Sequence, residues 1–444
     1  MNEGLVTSLN ALREISVSGG SVYHQYIPII DENTSISTLA EPVLNVPAVA
    51  NDFMSMLVNR IVYTQFETKY FRNPLQILEG DRIPLGYAGQ EIYVNPAKGR
   101  KYNVNDFAGL LQKYEADVKV QYMTLNSDLQ YPVTVTRHDL KKAFTSWENL
   151  DRFIDQLSNS LYNGAYIGEY RYTKNLIGSA YSYGGVQVEL VSAISSEATA
   201  KAFVKKVRNL FLNFQTPSIA YNAWAKAGGS GNPITTWSNP EDIVVILRND
   251  VRTEIDVDVL ASAFNIDKAT LMGNIITVNS FDIVDDEGVT RFNGSNILGL
   301  IADKSWFKIK RQDMYLDEFY NANNRTWQYY LNITKMYQYS LFANAVVLAT
   351  ANPTITITSM SYSDNIVTVE EADTAEVEVS VNPFGATSPT ITYTSSDANV
   401  FTVEADSKNG KIAEITAVGE GTAILTATAG NVTATITVNV TAAE

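Results

Sequence analysis

Cysteine is absent from all 444 residues. That excludes a disulfide framework, thiolate-ligated zinc, cysteine-held iron–sulfur clusters and a thiol nucleophile. Histidine is almost absent too: His24 and His138 leave little stock for imidazole catalysis or a multi-histidine metal site. Charge is scarce, at 18% of residues, where an average soluble chain has about 25%. Positive charge is scarcer still, with 33 Lys and Arg against 48 Asp and Glu, a net of −15. That deficit argues against a simple electrostatic grip on a phosphate backbone. So thinly charged a surface is expected to be covered in part by partners or by copies of the chain. Long apolar runs are missing as well. The start, Met1-Asn2-Glu3-Gly4, has no basic or apolar leader region. The uncharged tract Leu341–Thr358 is broken by Asn344, Asn352 and Pro353, and reads as strand, linker and strand rather than a bilayer span. A soluble protein with no membrane partner is expected.

What is present suits a folded chain, with 45% hydrophobic and 11% aromatic residues, and the length suits two or three domains. Charge marks the first boundary. From Asn352 to Glu444 there are two bases, Lys408 and Lys411, against twelve acids, a net of −10, so the first 351 residues carry only −5. This tail also has 18 threonines from Pro353 onward. Its β-branched residues alternate, as in Ile355 and Ile357, Val367 and Val369, Val377, Val379 and Val381, Ile424, Thr426 and Thr428, and Ile436, Val438 and Val440. Period-two runs separated by turn signals such as Asn382-Pro383-Phe384-Gly385 and Asn409-Gly410 are half-buried strands. Residues 352–444 are therefore expected to be an all-β immunoglobulin-like sandwich.

Residues 1–351 read as an α+β body. Residues 1–50 are polar and punctuated by proline, with one short helix near Leu5–Ile15. A helix follows from Asn51. Ile83 to about Val135 is extended and strand-like. The clearest helix is expected from Thr145 to about Ile177, opened by a Thr145–Glu148 capping box and carrying Leu150, Phe153, Ile154, Leu157, Leu161 and Ala165 at helical spacing. A second helix is expected near Ser196–Asn213 and a third near Val257–Phe264. Ile243–Leu247 is a continuous apolar run and hence a buried strand. Further strands are expected at Ile275–Val278, Ile297–Ile301, Trp327–Tyr330 and Ala345–Leu348.

No constellation reads as an active site, and no catalytic, cofactor-binding or metal-ligating residue is assigned. Asp256-x-Asp258 and Asp285-Asp286-Glu287 are the best carboxylate candidates, but neither continues into a calcium-loop pattern, and solvated acids are the expected reading. His138 stands between Arg137 and Asp139, where neighbours on a strand would face opposite ways; neither it nor His24 has a nucleophile elbow nearby. Gly228-Gly229-Ser230-Gly231-Asn232-Pro233 lacks the spacing of a phosphate-binding loop. Lys304, Lys308, Lys310 and Arg311 form a basic cluster beside Trp306 and Phe307, a pattern that could touch nucleic acid but in an acidic chain is expected to be a subunit contact or a solvated face.

Several stretches of the body resemble the major capsid proteins of short-tailed phages of the phi-twenty-nine type. They run from Asn51-Asp52-Phe53 and Leu57-Val58-Asn59-Arg60-Ile61 through Ile83-Pro84-Leu85-Gly86 and Leu140-Lys141-Lys142-Ala143-Phe144. They continue with Glu169-Tyr170-Arg171-Tyr172, Asp256-Val257-Asp258-Val259-Leu260-Ala261-Ser262-Ala263-Phe264-Asn265 and Asp303-Lys304-Ser305-Trp306-Phe307. The tail is similar to bacterial immunoglobulin-like domains of group 2, through Thr394-Ser395-Ser396-Asp397 and Ala417-Val418-Gly419-Glu420-Gly421-Thr422-Ala423. The resemblance implies the capsid fold named after phage HK-ninety-seven, with residues 83–135 as an extended loop over a neighbouring subunit and 145–177 as a spine helix. It implies a virion protein without enzymatic activity or cofactor that assembles with itself in pentamers and hexamers in the host cytoplasm. Scaffolding protein, portal and packaged double-stranded DNA would be its partners. Separately from the resemblance, the acidic tail is expected to project outward, where it keeps particles apart or weakly engages a host-surface glycan. The alternative is a cell-surface binding protein using the immunoglobulin-like domain.

Overall fold

Hydrophobic periodicity becomes packing in several separate cores. A computed structural model of the chain describes all residues except 1–2, 32, 64–70, 85–88, 100–112, 114, 225–232, 256–274, 384–385, 387, 407–409 and 443–444. The chain divides into two compact units. One comprises Met1–Ala88, Thr124–Thr173 and Ile309–Tyr337; the other comprises Gly89–Met123, Lys174–Lys308 and Gln338–Glu444.

The first unit is built on a three-stranded sheet in the order Phe307–Asn321, Thr326–Tyr339, Ser127–Thr136. Trp327, Tyr329, Leu331 and Ile333 alternate inward from the central strand. They meet Leu150, Ile154, Leu157, Leu161 and Ala165 in one core. Those five lie on a 36-residue helix, Trp147–Ser182, which we call the spine helix. Its start differs from the expected capping box. Thr145 donates its hydroxyl to the Lys142 carbonyl and Glu148 pairs with Arg152, while Ser146 accepts from the Asn149 N–H at 3.1 Å. The residue next to the helix has the shorter reach to the free N–H groups of the first turn.

Residues 1–50 are more ordered than their polarity and prolines suggest. Glu3–Gly19, Ile36–Asn45 and Pro47–Tyr63 are helices, and Leu5, Leu9, Leu12, Leu39 and Val43 enter the same core. Pro47 is tolerated because it opens its helix, where its missing N–H has no partner to lose. The strand expected over Trp327–Tyr330 runs on to Tyr339. Its second half was hidden by two buried polar residues, Asn332 and Lys335, each of which finds a partner.

The second unit contains a five-stranded mixed sheet, ordered Gln187–Leu190, Ala345–Ala349, Ile297–Asp303, Ile243–Arg248, Ile275–Val278. The three inner strands are buried almost throughout. The helix Glu197–Phe214 covers the sheet with Phe203, Val207, Leu210 and Phe214. Lys201, Lys205 and Arg208 face out, as their spacing predicts. Gly178, in the second half of the spine helix, is required by a close approach: a Cβ there would lie 2.6 Å from the Phe281 carbonyl oxygen. The helix expected near Val257–Phe264 lies outside the described residues.

The tail forms a four-stranded sheet, a three-stranded sheet and a two-stranded ladder. Val377, Val379, Val381, Ile436, Val438 and Val440 point inward, as the alternation predicts. In the strand Gly421–Ala429 the expected phase is reversed. Ala423, Leu425, Ala427 and Ala429 are buried, whereas Ile424 is exposed and the threonines line the outer face. Small alanines fit where the two sheets come close, and β-branched residues suit the open pleat.

Candidate functional site

Two described strands within residues 83–135, the range expected to be extended, form the most distinctive surface. Gly89–Val94 and Val118–Met123 pair antiparallel, with Ile92 opposite Val120 and Val94 opposite Val118. In a ribbon, alternate residues face opposite ways, and here the two faces differ in chemistry. The inner face is polar and held. Glu91 pairs with Lys308 at 2.8 Å, and the Tyr93 hydroxyl donates to the Thr235 carbonyl. Gln121 donates to the Tyr339 carbonyl and accepts from the Leu341 N–H, both at 2.8 Å. At the ribbon's end Asn95 donates to Asp117 and the Pro233 carbonyl and accepts from the Thr235 N–H. The outer face is apolar and open. Ile92, Val94, Val118 and Tyr122 are 60%, 53%, 47% and 72% exposed. Water is a poor neighbour for such a cluster, and contiguous exposed apolar patches mark interaction sites.

The carboxylates singled out in the sequence divide in two. Asp256 and Asp258 lie outside the described residues. Asp285 accepts from the Glu287 and Val289 N–H groups and pairs with Arg291 at 2.6 Å. The Val289 N–H foremost, then the Arg291 guanidinium, holds its carboxyl below the usual range. It ties a turn together. Among the described residues no group of three or more His, Asp or Glu is arranged to hold a metal ion. The Gly228–Asn232 stretch lies outside the described residues.

His24 is engaged locally, its Nδ1 3.0 Å from the Ser16 hydroxyl. His138 is on a short helix, Arg137–Ala143, rather than a strand. Its neighbour Asp139 is committed to a capping box with Thr136, whose hydroxyl lowers the carboxyl's pKa. The basic cluster is dispersed into its own chain: Lys308 takes Glu91, and Lys304 donates to the Glu241 carbonyl at 2.9 Å.

One charged cluster had no signal in the sequence. Lys335, 2% exposed by side chain, lies 2.6 Å from Glu169 and 3.0 Å from Glu79. Burial pushes the Glu169 carboxyl above the usual range against the opposing pull of Lys335. The three residues stand far apart along the chain, so no local spacing marks them. They pin the segment carrying Glu79 to the spine helix and the central strand of the first unit.

Three comparisons with known proteins bear on what this architecture is. The model of the Phi29-like phage major capsid protein family matches residues 14–349. The chain belongs to this family. The bacterial Ig-like domain of group 2 matches residues 356–440. The major capsid protein of Bacillus phage B103 is 28% identical over 372 residues, covering 83% of this chain and 78% of its own. That of Streptococcus phage Cp-1 is 26% identical over 359 residues, covering 76% and 93%. The capsid structure of Staphylococcus phage Andhra aligns with a TM-score of 0.52 at 14% identity, over 64% of this chain and 86% of the other. The fold is a phage capsid fold with an Ig-like tail, and the protein is a structural component of the virion that builds a shell from copies of itself. Among the described residues of this capsid protein, no helix is long and apolar enough to cross a membrane.

Proposed function

We propose that this capsid protein closes its shell by laying the outer face of the 89–94/118–123 ribbon on a neighbouring copy, and that it has no enzymatic activity. The single observation that carries the reading is the ribbon's division into a held polar face and an open apolar one. A fully buried Val or Ile side chain contributes about 1.5–3 kcal/mol, so covering the exposed parts of Ile92, Val94 and Val118, with the Tyr122 ring, at every repeat of a symmetric shell sums to a strong closure term. Residues 1–351 act as the shell body and 352–444 as an appended domain. Pentamers and hexamers are the assembling units, formed in the host cytoplasm around double-stranded DNA with scaffolding protein and portal. The tail, at net −10, projects outward, separating particles and touching the host surface weakly.

Negative-stain microscopy of the chain with and without a scaffolding protein tests the assembly, with Ile92→Asp plus Tyr122→Asp as the decisive variant. The expected result is closed shells or capsomer rings for the parent and folded, unassembled subunits for the variant. Normal shells from the variant would remove the ribbon from the account.

A further inference from the structure

The tail's outward residues are sorted by charge between its two larger sheets. On the three-stranded sheet the register sets Glu376, Glu414 and Glu404 side by side across all three strands, each exposed. Like charges directly opposite on neighbouring strands repel. The four-stranded sheet is the reverse. Its outward rows read Thr392, Thr428 and Thr433, then Thr394, Thr426 and Thr435, then Ile424, Thr437 and Ile366. Ile366 is 62% exposed and Ile424 46%. Glu370, in the row at the far end of this face, carries its one charge. In a segment with twelve acids and two bases, a whole sheet face kept nearly free of them needs a reason.

We propose that the tails of two neighbouring copies meet face to face through their four-stranded sheets. A shell built from copies of the chain gives every tail neighbouring tails that it can meet. Each tail is net −10, and an approach that apposes the glutamate rows is opposed by like charge. The threonine and isoleucine face is the approach without that penalty. Its β-branched methyls suit the interdigitation of two sheets stacked about 10 Å apart. The area sets how strong the contact is. Four strands about 4.8 Å apart, each about five residues of 3.3 Å, give a footprint of roughly 300 Å² per copy. A stable free complex covers about 800 Å² per partner. The pairing is therefore too small to hold two free subunits together. It forms only where the shell raises the effective concentration towards the millimolar range. It adds to a shell already closed and does not create one.

The absence of cysteine makes the test direct, because one introduced cysteine is the only thiol. Shells of Thr435→Cys, and separately of Thr394→Cys in the same row, are treated with a bis-maleimide spanning about 10 Å. The expected result is covalent dimers from most chains in both kinds of shell, few from unassembled subunits, and few from Glu414→Cys shells. Absence of dimers from both threonine variants in intact shells overturns the pairing, as do equal yields from Glu414→Cys. Loss of adsorption to host cells in Thr435→Arg particles, without any cross-linking at the threonines, would also overturn it and assign the face to a cell-surface polymer.

Discussion

The ribbon and the tail are both β structure with one face turned outward, and they solve the problem of that face in opposite ways. The ribbon has two strands, no core of its own, and large apolar groups facing out: Ile92, Val94, Val118 and Tyr122. The tail has a core of its own in two clusters, around Phe401, Ile415 and Val438 and around Val379 and Ala427, and shows mostly threonine outside. A two-stranded hairpin is marginal in water by itself, whereas sheets that share a core stand alone. In this account the ribbon is therefore the part that needs a neighbour, and the tail is the part that can do without one.

Breaking the ribbon should do the most damage. In Ile92→Asp plus Tyr122→Asp, shells fall below detection in microscopy, while the unassembled subunit keeps its circular dichroism and melting temperature. The tail comes next. Phe401→Ala empties a fully buried site and should cost the tail about 3–5 kcal/mol, seen as an early calorimetric transition, with shell yield unchanged. Removal of residues 353–444 should likewise leave shells; a folded body that no longer assembles would erase the distinction between the two regions. Within the body, Lys335→Met strands two carboxylates with little solvent access, and should lower stability by about 3 kcal/mol in denaturant unfolding.

The smallest effect is a pH dependence. The folded pKa of Glu169 is raised, by burial first and against Lys335. The fold therefore binds its proton more tightly than the unfolded chain does. The resulting stability is present in acid and is lost as pH rises through the raised value. Relative to Glu169→Gln, the parent should be favoured more at about pH 5 than at about pH 8. A constant difference between the two across that range would show that Lys335 fully offsets the burial.

The same contrast explains what was legible in the sequence. The spine helix was legible because Leu150, Ile154, Leu157 and Leu161 repeat at helical spacing whatever surrounds them. The tail was legible because its valines alternate over several strands. The phase of Gly421–Ala429 was not, since alanine is a weak hydrophobic signal and Ile424 a strong one, yet shape between two sheets decided the side. The helices of residues 1–50 were obscured by Pro28, Pro42 and Pro47, two of which fall at or within helices. As for the site, the strand character of Gly89–Val94 and Val118–Met123 was plain. That Glu91 and Tyr93 face in while Ile92 and Val94 face out depended on Lys308 and Thr235, partners remote in sequence. The Glu79–Glu169–Lys335 cluster is wholly a product of tertiary folding.

Hydroxyl-radical footprinting of Tyr122, read by mass spectrometry in free subunits and in intact shells, shows whether a neighbour covers the ribbon's outer face. At 72% exposure the ring should be oxidised readily in the free subunit and several-fold less in the shell, with Ile92 and Val94 following it. Equal oxidation of Tyr122 in both states would contradict the claim that this face is covered by a neighbour.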